Sequence, residues 1–256
     1  MTTRWAPPSC RAPRPWAPAW RQRYAWRVTR ILAGTCGFSY RAWRGRFYAL
    51  ELPASEMLAS YGRRLPTVEI DSTFYRPPAP TTLASWYQQT PAGFRFALKA
   101  PREITHERRL AGVATLVRSF YESAAELEEK LGPVLFQLPP TLERDLPLLR
   151  DLLSLVPRGG RTALEFRHPS WRDDAVLAAM RDAGAAVCIT NAFAEHLVAT
   201  ARFGYLRLAL LRPERRVLVR LLAAIRAQPW EEAFVFFKDP SQGRAPAVAR
   251  ALSRLA

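Results

Sequence analysis

From residue 30 onward, short apolar or alternating runs recur along the chain, and stretches with helical apolar spacing lie between them. Runs at 30–35, 67–71, 94–99, 134–137, 163–167, 186–190, 205–208 and 233–238 read as strands. Helical patterns fall near 53–63, 80–89, 113–131, 144–156, 173–183, 214–227 and 245–255. Pro80-Thr81-Thr82 and Asp173-Asp174 are start signals for two of them. The interval between the sixth and seventh strands is short and irregular. Strands that alternate with helices predict a parallel α/β arrangement. Their number and the chain length favour one closed (β/α)8 TIM-type barrel over residues 30–256. An open doubly wound sheet is the alternative. No GxGxxG or GxxxxGKS/T motif follows a strand, so the usual nucleotide loops are absent.

Period-two reading sorts each strand into two faces. Val68 and Ile70 oppose Thr67, Glu69 and Asp71. Phe94, Phe96 and Leu98 oppose Arg95, Ala97 and Lys99. Leu164 and Phe166 oppose Ala163, Glu165 and Arg167; Leu206 and Leu208 oppose Tyr205 and Arg207. The aliphatic faces are expected to meet the helices. The inner faces then end in Thr35, Glu69, Lys99, Gln137, Glu165, Thr190, Arg207 and Lys238, near the strands' C-terminal ends. Barrel enzymes carry their chemistry at that end. Buried charges are costly unless paired, so Glu69 and Glu165 should offset some of the cations. The same pattern fits either a self-satisfied ion network or a ligand site with surplus positive charge.

Charge changes this picture only in part. Lys+Arg 38 against Asp+Glu 22 gives +16, which invites a nucleic-acid or membrane-surface partner. Yet 35 of the basic residues are Arg and only Lys99, Lys130 and Lys238 are Lys, a skew that looks like compositional drift. The first acid is Glu51, while residues 51–256 hold 28 basic and 22 acidic groups. Residues 1–29 are rich in Arg, Pro and Trp and read as a disordered extension or as sequence from a start site placed too far upstream. Such a tail could bind nucleic acid or anionic lipid. No apolar run is long enough for a membrane span, so no insertion is expected. Cys10, Cys36 and Cys188 make no disulfide framework, and a cytoplasmic setting is the expectation.

The expected chemistry is that of an enzyme acting on an anionic, phosphorylated or carboxylated substrate at the C-terminal mouth. Glu69 or Glu165 would be acid/base, with Lys99, Arg167, Arg207 and Lys238 holding the anion. Gln137 and Ser72 would orient the ligand, and Asp71 shares the inner face. His106, His168 and His196 each follow a strand; His168 or His106 could move protons near neutral pH. No HxH or HExxH spacing occurs, so no metal or other cofactor is expected. Tyr40, Trp43, Tyr75 and Trp171 follow strands and could stack on a ligand or pack loops on the barrel. A metabolite- or nucleic-acid-binding barrel without chemistry is the alternative. A two-carboxylate glycosidase using Glu69 and Glu165 is a third reading, disfavoured by the nearby cations.

Several blocks resemble the YecE-like family (domain of unknown function 72) over about residues 31–255. They are Gly34-Thr35-Cys36-Gly37-Phe38-Ser39-Tyr40, Val68-Glu69-Ile70-Asp71-Ser72-Thr73-Phe74-Tyr75, Phe96-Ala97-Leu98-Lys99-Ala100 and Glu165-Phe166-Arg167-His168-Pro169-Ser170-Trp171. Phe136-Gln137-Leu138-Pro139-Pro140 and Phe236-Phe237-Lys238 add to them. The resemblance implies a TIM-type barrel and assigns no reaction. Two departures are Thr190-Asn191 where many members carry a sixth-strand Asp, and Ala209-Leu210 where some carry His-Gly.

Overall fold

The computed structural model describes residues 29–190, 197–210, 212–239 and 243–256. The Arg/Pro/Trp-rich stretch and His196 therefore lie outside the described residues. Eight parallel strands close in sequence order: β1 (Arg30–Cys36), β2 (Thr67–Ile70), β3 (Arg95–Lys99), β4 (Leu131–Gln137), β5 (Thr162–Glu165), β6 (Ala186–Thr190), β7 (Phe203–Leu208) and β8 (Glu232–Phe237). Pairing of β1 with β8, from Arg30↔Glu232 to Thr35↔Phe237, completes the cylinder. The open-sheet alternative is thereby excluded. Helices α1 (Met57–Gly62), α2 (Pro80–Gln89), α3 (Ala114–Ala124), α4 (Leu146–Leu155), α5 (Asp174–Asp182), α6 (Arg215–Arg226) and α7 (Ala245–Leu255) form the shell. Among the described residues no helix lies between β6 and β7, and none is long and apolar enough to cross a membrane.

Alternation explains the core. Val68, Ile70, Phe96, Leu98, Leu164, Leu206 and Leu208 face the helices, as the period predicts. A second cluster fills the cylinder: Leu32, Ala97, Leu135, Ala163, Ala186, Cys188, Phe203, Tyr205, Phe234 and Phe236. Large rings come from β7 and β8, with Tyr205 and Phe236 at 5.2 Å between centroids. Alanines on β3, β5 and β6 leave them room, so large and small residues complement each other across the barrel.

Three sequence expectations shift. The helix expected at 113–131 ends at Ala124, and a 3-10 segment, Ala125–Lys130, follows with Glu128 at φ 45°. The chain instead enters β4 at Leu131, through Gly132 and Pro133, three residues before the strand expected from 134. Pro133 sits where the β3–β4 register shifts between Phe96 and Leu98, so its missing N–H costs little ladder pairing. Strand β5 stops at Glu165, which puts Arg167 beyond the ladder. Thr35 faces outward, because Leu32 and Cys36 share the inner face of β1. Its hydroxyl and N–H meet the Tyr61 hydroxyl at 2.8 and 3.0 Å.

The first motif block also has a packing cause. A Cβ on Gly34 would stand 2.1 Å from the Thr67 carbonyl oxygen, which is fixed backbone in β2. Gly34→Ala is expected to cost about 3 kcal/mol or more by prising β1 from β2. Urea denaturation checks it, and a loss under about 1 kcal/mol would contradict the close-approach explanation.

Candidate functional site at the barrel mouth

Arg207, near the end of β7, is the hub. Its Nε and Nη2 donate to Glu69 Oε1 at 3.0 and 2.7 Å, and Nη1 donates to Glu165 Oε2 at 2.5 Å. Nη2 also donates to Asp71 Oδ1 at 3.1 Å. Glu69 Oε2 accepts from the Tyr205 hydroxyl at 2.6 Å. Glu165 Oε1 accepts from Gln137 Nε2 at 2.8 Å and Arg167 Nε at 2.9 Å. Glu69, Glu165 and Arg207 are all buried. Strands β2, β4, β5 and β7 thus tie their C-terminal ends through one ion network.

The carboxylates differ in proton affinity. Burial pushes Glu69 upward, but Arg207 and the hydrogen bonds from Tyr205 and Cys36 outweigh it and hold the group below the usual range. Glu165 suffers the same desolvation and is nevertheless lowered to about 2 by Arg207, Gln137 and Lys238. Asp71 goes the other way. Burial and the nearby Glu69 charge raise it to about 6, against the pull of Arg207 and Lys99. Its side chain is 33% exposed, so it faces the mouth. Lys99 Nζ lies 4.0 Å from Asp71 Oδ1 and 3.8 Å above the Phe74 ring centroid. Burial lowers the Lys99 pKa, and Asp71 partly restores it. Of the three carboxylates, Asp71 alone is shifted toward neutrality.

A cavity of about 630 Å³ opens beside this network, lined by Glu165, Arg167, His168, Trp171, Asp173, Asp174, Val187, Cys188, Ile189, Thr190 and Lys238, among others. Strands β5 and β6 pair only at Ala163↔Ala186 and Leu164↔Val187, so they part above that point and leave the opening. Lys238 and Arg167 line it beside Glu165. Asp173, which caps α5 by accepting from Ala175 N at 2.8 Å and pairs with Arg144 at 2.8 Å, and Asp174 also line it. His168 Nδ1 meets Ser170 Oγ at 2.8 Å and caps the short turn Pro169–Trp171.

Other sequence candidates are placed differently. Trp43 is fully buried among Tyr40, Phe47, Tyr48 and Tyr61, so it packs the loop after β1 and has no face toward a ligand. Trp171 stacks on Phe166 and donates Nε1 to the Leu142 carbonyl at 2.8 Å, with one edge on the cavity. Tyr40 donates to the Cys36 carbonyl at 3.0 Å, and burial pushes its hydroxyl up to about 12. Tyr75 is 77% exposed and meets Phe74 edge-on. Ser72 is exposed at the start of the turn Ser72–Phe74. His106 lies edge-on to Phe74 at 4.9 Å and pairs with Thr105 Oγ1 at 2.9 Å. Burial and Lys99 lower its pKa. Thr190, on β6, lines the cavity.

Two inward residues were missed. Cys36 and Cys188 sit beside Glu69 and Glu165, and burial, then these carboxylates, push both thiols well up. Ligand atoms of Cys36, Glu69 and Asp71 lie within 4.8 Å of one another, the geometry of a cation site. Both Glu69 oxygens are already occupied by Arg207 and Tyr205, and metal ligation needs the thiolate form of Cys36. The donor set therefore fits a divalent cation poorly.

Comparisons with known proteins agree with this architecture. YecE of Escherichia coli K12 is 34% identical over 115 residues, covering 44% of this chain and 42% of YecE. YunF of Bacillus subtilis is 29% identical over 136 residues, covering 48% of this chain and 47% of YunF. The matched stretch thus spans less than half the length of either curated relative. A DUF72 family protein from Thermotoga maritima superposes with a TM-score of 0.75 at 23% identity, covering 88% of this chain and 98% of that one. One from Enterococcus faecalis V583 gives 0.70 at 20% identity, covering 90% and 98%. Residues 32–256 match the profile described as "Protein of unknown function DUF72", and the chain belongs to that family.

Proposed function

We propose that the protein is an enzyme acting on a small phosphorylated or carboxylated substrate, bound at the C-terminal mouth and transformed by proton transfer at Asp71. The observation that carries this reading is the charge balance of the mouth. Around the ion network Arg207, Lys99, Arg167 and Lys238 adjoin Glu69, Glu165 and Asp71, a surplus of one cation that grows when Asp71 is protonated, while Asp173 and Asp174 also line the cavity. Among the described residues, Lys238 Nζ has no carboxylate within ion-pair distance, although it adjoins Glu165 on the cavity. An entering anion would supply the missing partner.

The cavity volume falls within the range of about 300–1,000 Å³ that small-molecule sites occupy. Its lining includes Lys238 and Arg167 beside the apolar Phe166, Leu177, Val187 and Ile189. Asp173 is paired with Arg144 at 2.8 Å, so Asp174 is the lining carboxylate that would repel an anion. A ligand with one anionic end and an apolar middle is therefore favoured, its charged group directed toward Lys238 and Arg167. The glycosidase reading is weakened, because Arg207 keeps both glutamates ionised and neither could serve as a protonated acid.

Native mass spectrometry of the freshly isolated full chain, with calorimetric titration of inorganic phosphate and acetate, tests this reading. A small bound anion is expected. Lys238→Met should weaken its binding about tenfold or more, the worth of one charge-assisted hydrogen bond of roughly 1.5–3 kcal/mol. Unchanged affinity in that variant would remove the anion from the cavity.

A further inference from the structure

We propose that the outer face of α6 and α7 docks the phosphate backbone of a nucleic acid, independently of the barrel mouth. The primary observation is an uneven charge distribution around the shell. Helix α6 carries Arg215, Arg216, Arg220 and Arg226, and α7 carries Arg250 and Arg254; all six are exposed, and neither helix contains an acid. The two helices pack side by side, and Arg226 Nη2 donates to the Ala256 carbonyl at the end of α7. Their arginines therefore belong to one surface. Helices on the other side are balanced: Arg118 with Glu122 in α3, Arg150 with Asp151 in α4, and Arg181 with Asp174 and Asp182 in α5.

Compositional drift toward arginine explains why the cations are Arg and not Lys. It does not explain why two adjacent helices carry six arginines and no acid, whereas the arginines of α3, α4 and α5 share their helices with acids. Nor are these charges neutralised locally. Among the described residues only Arg216 has a carboxylate partner, Glu214, just before the helix. Twelve residues of α6 span about 18 Å, alongside roughly ten charges of duplex DNA at about one per 1.7 Å. Guanidinium groups suit such a target because they bind phosphate in a bidentate fashion.

A second observation extends the same sign. Arg4, Arg11, Arg14, Arg21, Arg23 and Arg27 precede the first described residue, with no acid among residues 1–28. The chain joins the barrel at Thr29, whose hydroxyl donates to the Trp230 carbonyl at 3.0 Å. Trp230 lies just past the end of α6, so Thr29 is tied close to that end of the helix. The favoured partner is a nucleic acid and not a membrane. Leu218, Leu221, Leu222 and Ile225 of α6 are turned into the barrel shell, which leaves only Val217 and Val219 exposed for lipid. Membrane-surface helices present a larger apolar face.

Fluorescence anisotropy with a labelled short DNA duplex and the full chain provides the test. Arg220→Glu, Arg250→Glu and Arg254→Glu are combined in one variant. Arg118→Glu, Arg150→Glu and Arg181→Glu form a control with the same change in net charge. The first variant is expected to lose about thirtyfold or more in affinity, and its log affinity against log salt should flatten by about 3. The control should stay within about threefold of the parent. Equal losses in both would reduce the effect to net charge and overturn the proposal. So would unchanged affinity in the first variant, or parent protein that binds phosphatidylserine vesicles but no duplex. If the first variant melts below the control, the same three positions are changed to Gln and must still weaken binding.

Discussion

Replacing Arg207 by methionine is expected to remove about 3–5 kcal/mol of folding stability at neutral pH, because it strands two buried carboxylates. Glu69 and Glu165 come from strands on opposite sides of Arg207, and its guanidinium reaches both. Without it, desolvation dominates and both carboxyls rise above their ordinary values. The pH dependence follows from the sign of the shift. Glu165, lowered to about 2 from 4.5, adds stability that is fully present above 4.5 and disappears as pH falls toward 2. The gap between parent and variant should therefore narrow on acidification. Urea denaturation at pH 7 and pH 4 checks this. Adding Glu69→Gln and Glu165→Gln to the Arg207→Met background should recover most of the loss, since a neutral, hydrogen-bonded set needs no counter-charge. Parent-like stability in the single variant would mean that this network does not hold the mouth together.

Asp71→Asn is expected to have the opposite profile: an active mouth emptied of chemistry on a more stable barrel. General acid–base catalysis is worth about 10²–10⁴ in rate, so turnover of the bound ligand should fall by that order. Affinity should change little, because Arg167 and Lys238, which line the cavity, remain. Stability should rise with pH dependence of a defined sign. A carboxyl raised from 3.8 to about 6 binds its proton more tightly when folded, so ionising it opposes folding. The cost is absent below 3.8, grows through the window to about 6, and stays constant above it. Asn, which never ionises, should therefore raise the thermal midpoint at pH 8 and not at pH 3.5. The same residue would then carry a stability cost and the catalytic proton, a trade commonly found at active sites.

Much of the mouth was legible because β2, β3, β5 and β7 alternate cleanly. Glu69, Lys99, Glu165 and Arg207 each follow an apolar neighbour that packs outward, so their inward direction could be read directly. Strand β1 offers no such contrast. Ile31, Leu32, Ala33 and Gly34 are apolar or small on both parities, and Thr35 drew attention that belonged to Cys36. Which inward charge meets which was not legible, since Arg207 reaches β2 and β5 across a cross-section that only closure defines. That pairing also separates the carboxylates: Arg207 holds both buried glutamates below the usual range, whereas Asp71, one step past β2 and partly exposed, is raised despite its own contact with Arg207. Trp43 and Trp171 show the same limit: both follow strands, yet only the latter borders the cavity.

A carboxyl-carbon NMR titration of the full chain, labelled at aspartate and glutamate and repeated with inorganic phosphate, tests the central claim most directly. The account predicts that Asp71 titrates near about 6 while Glu69 and Glu165 remain ionised far into the acid range. Phosphate should raise the Asp71 value further, because an anion held by Arg167 and Lys238 adds negative charge near the ion network. Titration of Asp71 in the ordinary aspartate range, or a glutamate that takes up its proton near neutrality, would contradict the division of roles on which the proposed function rests.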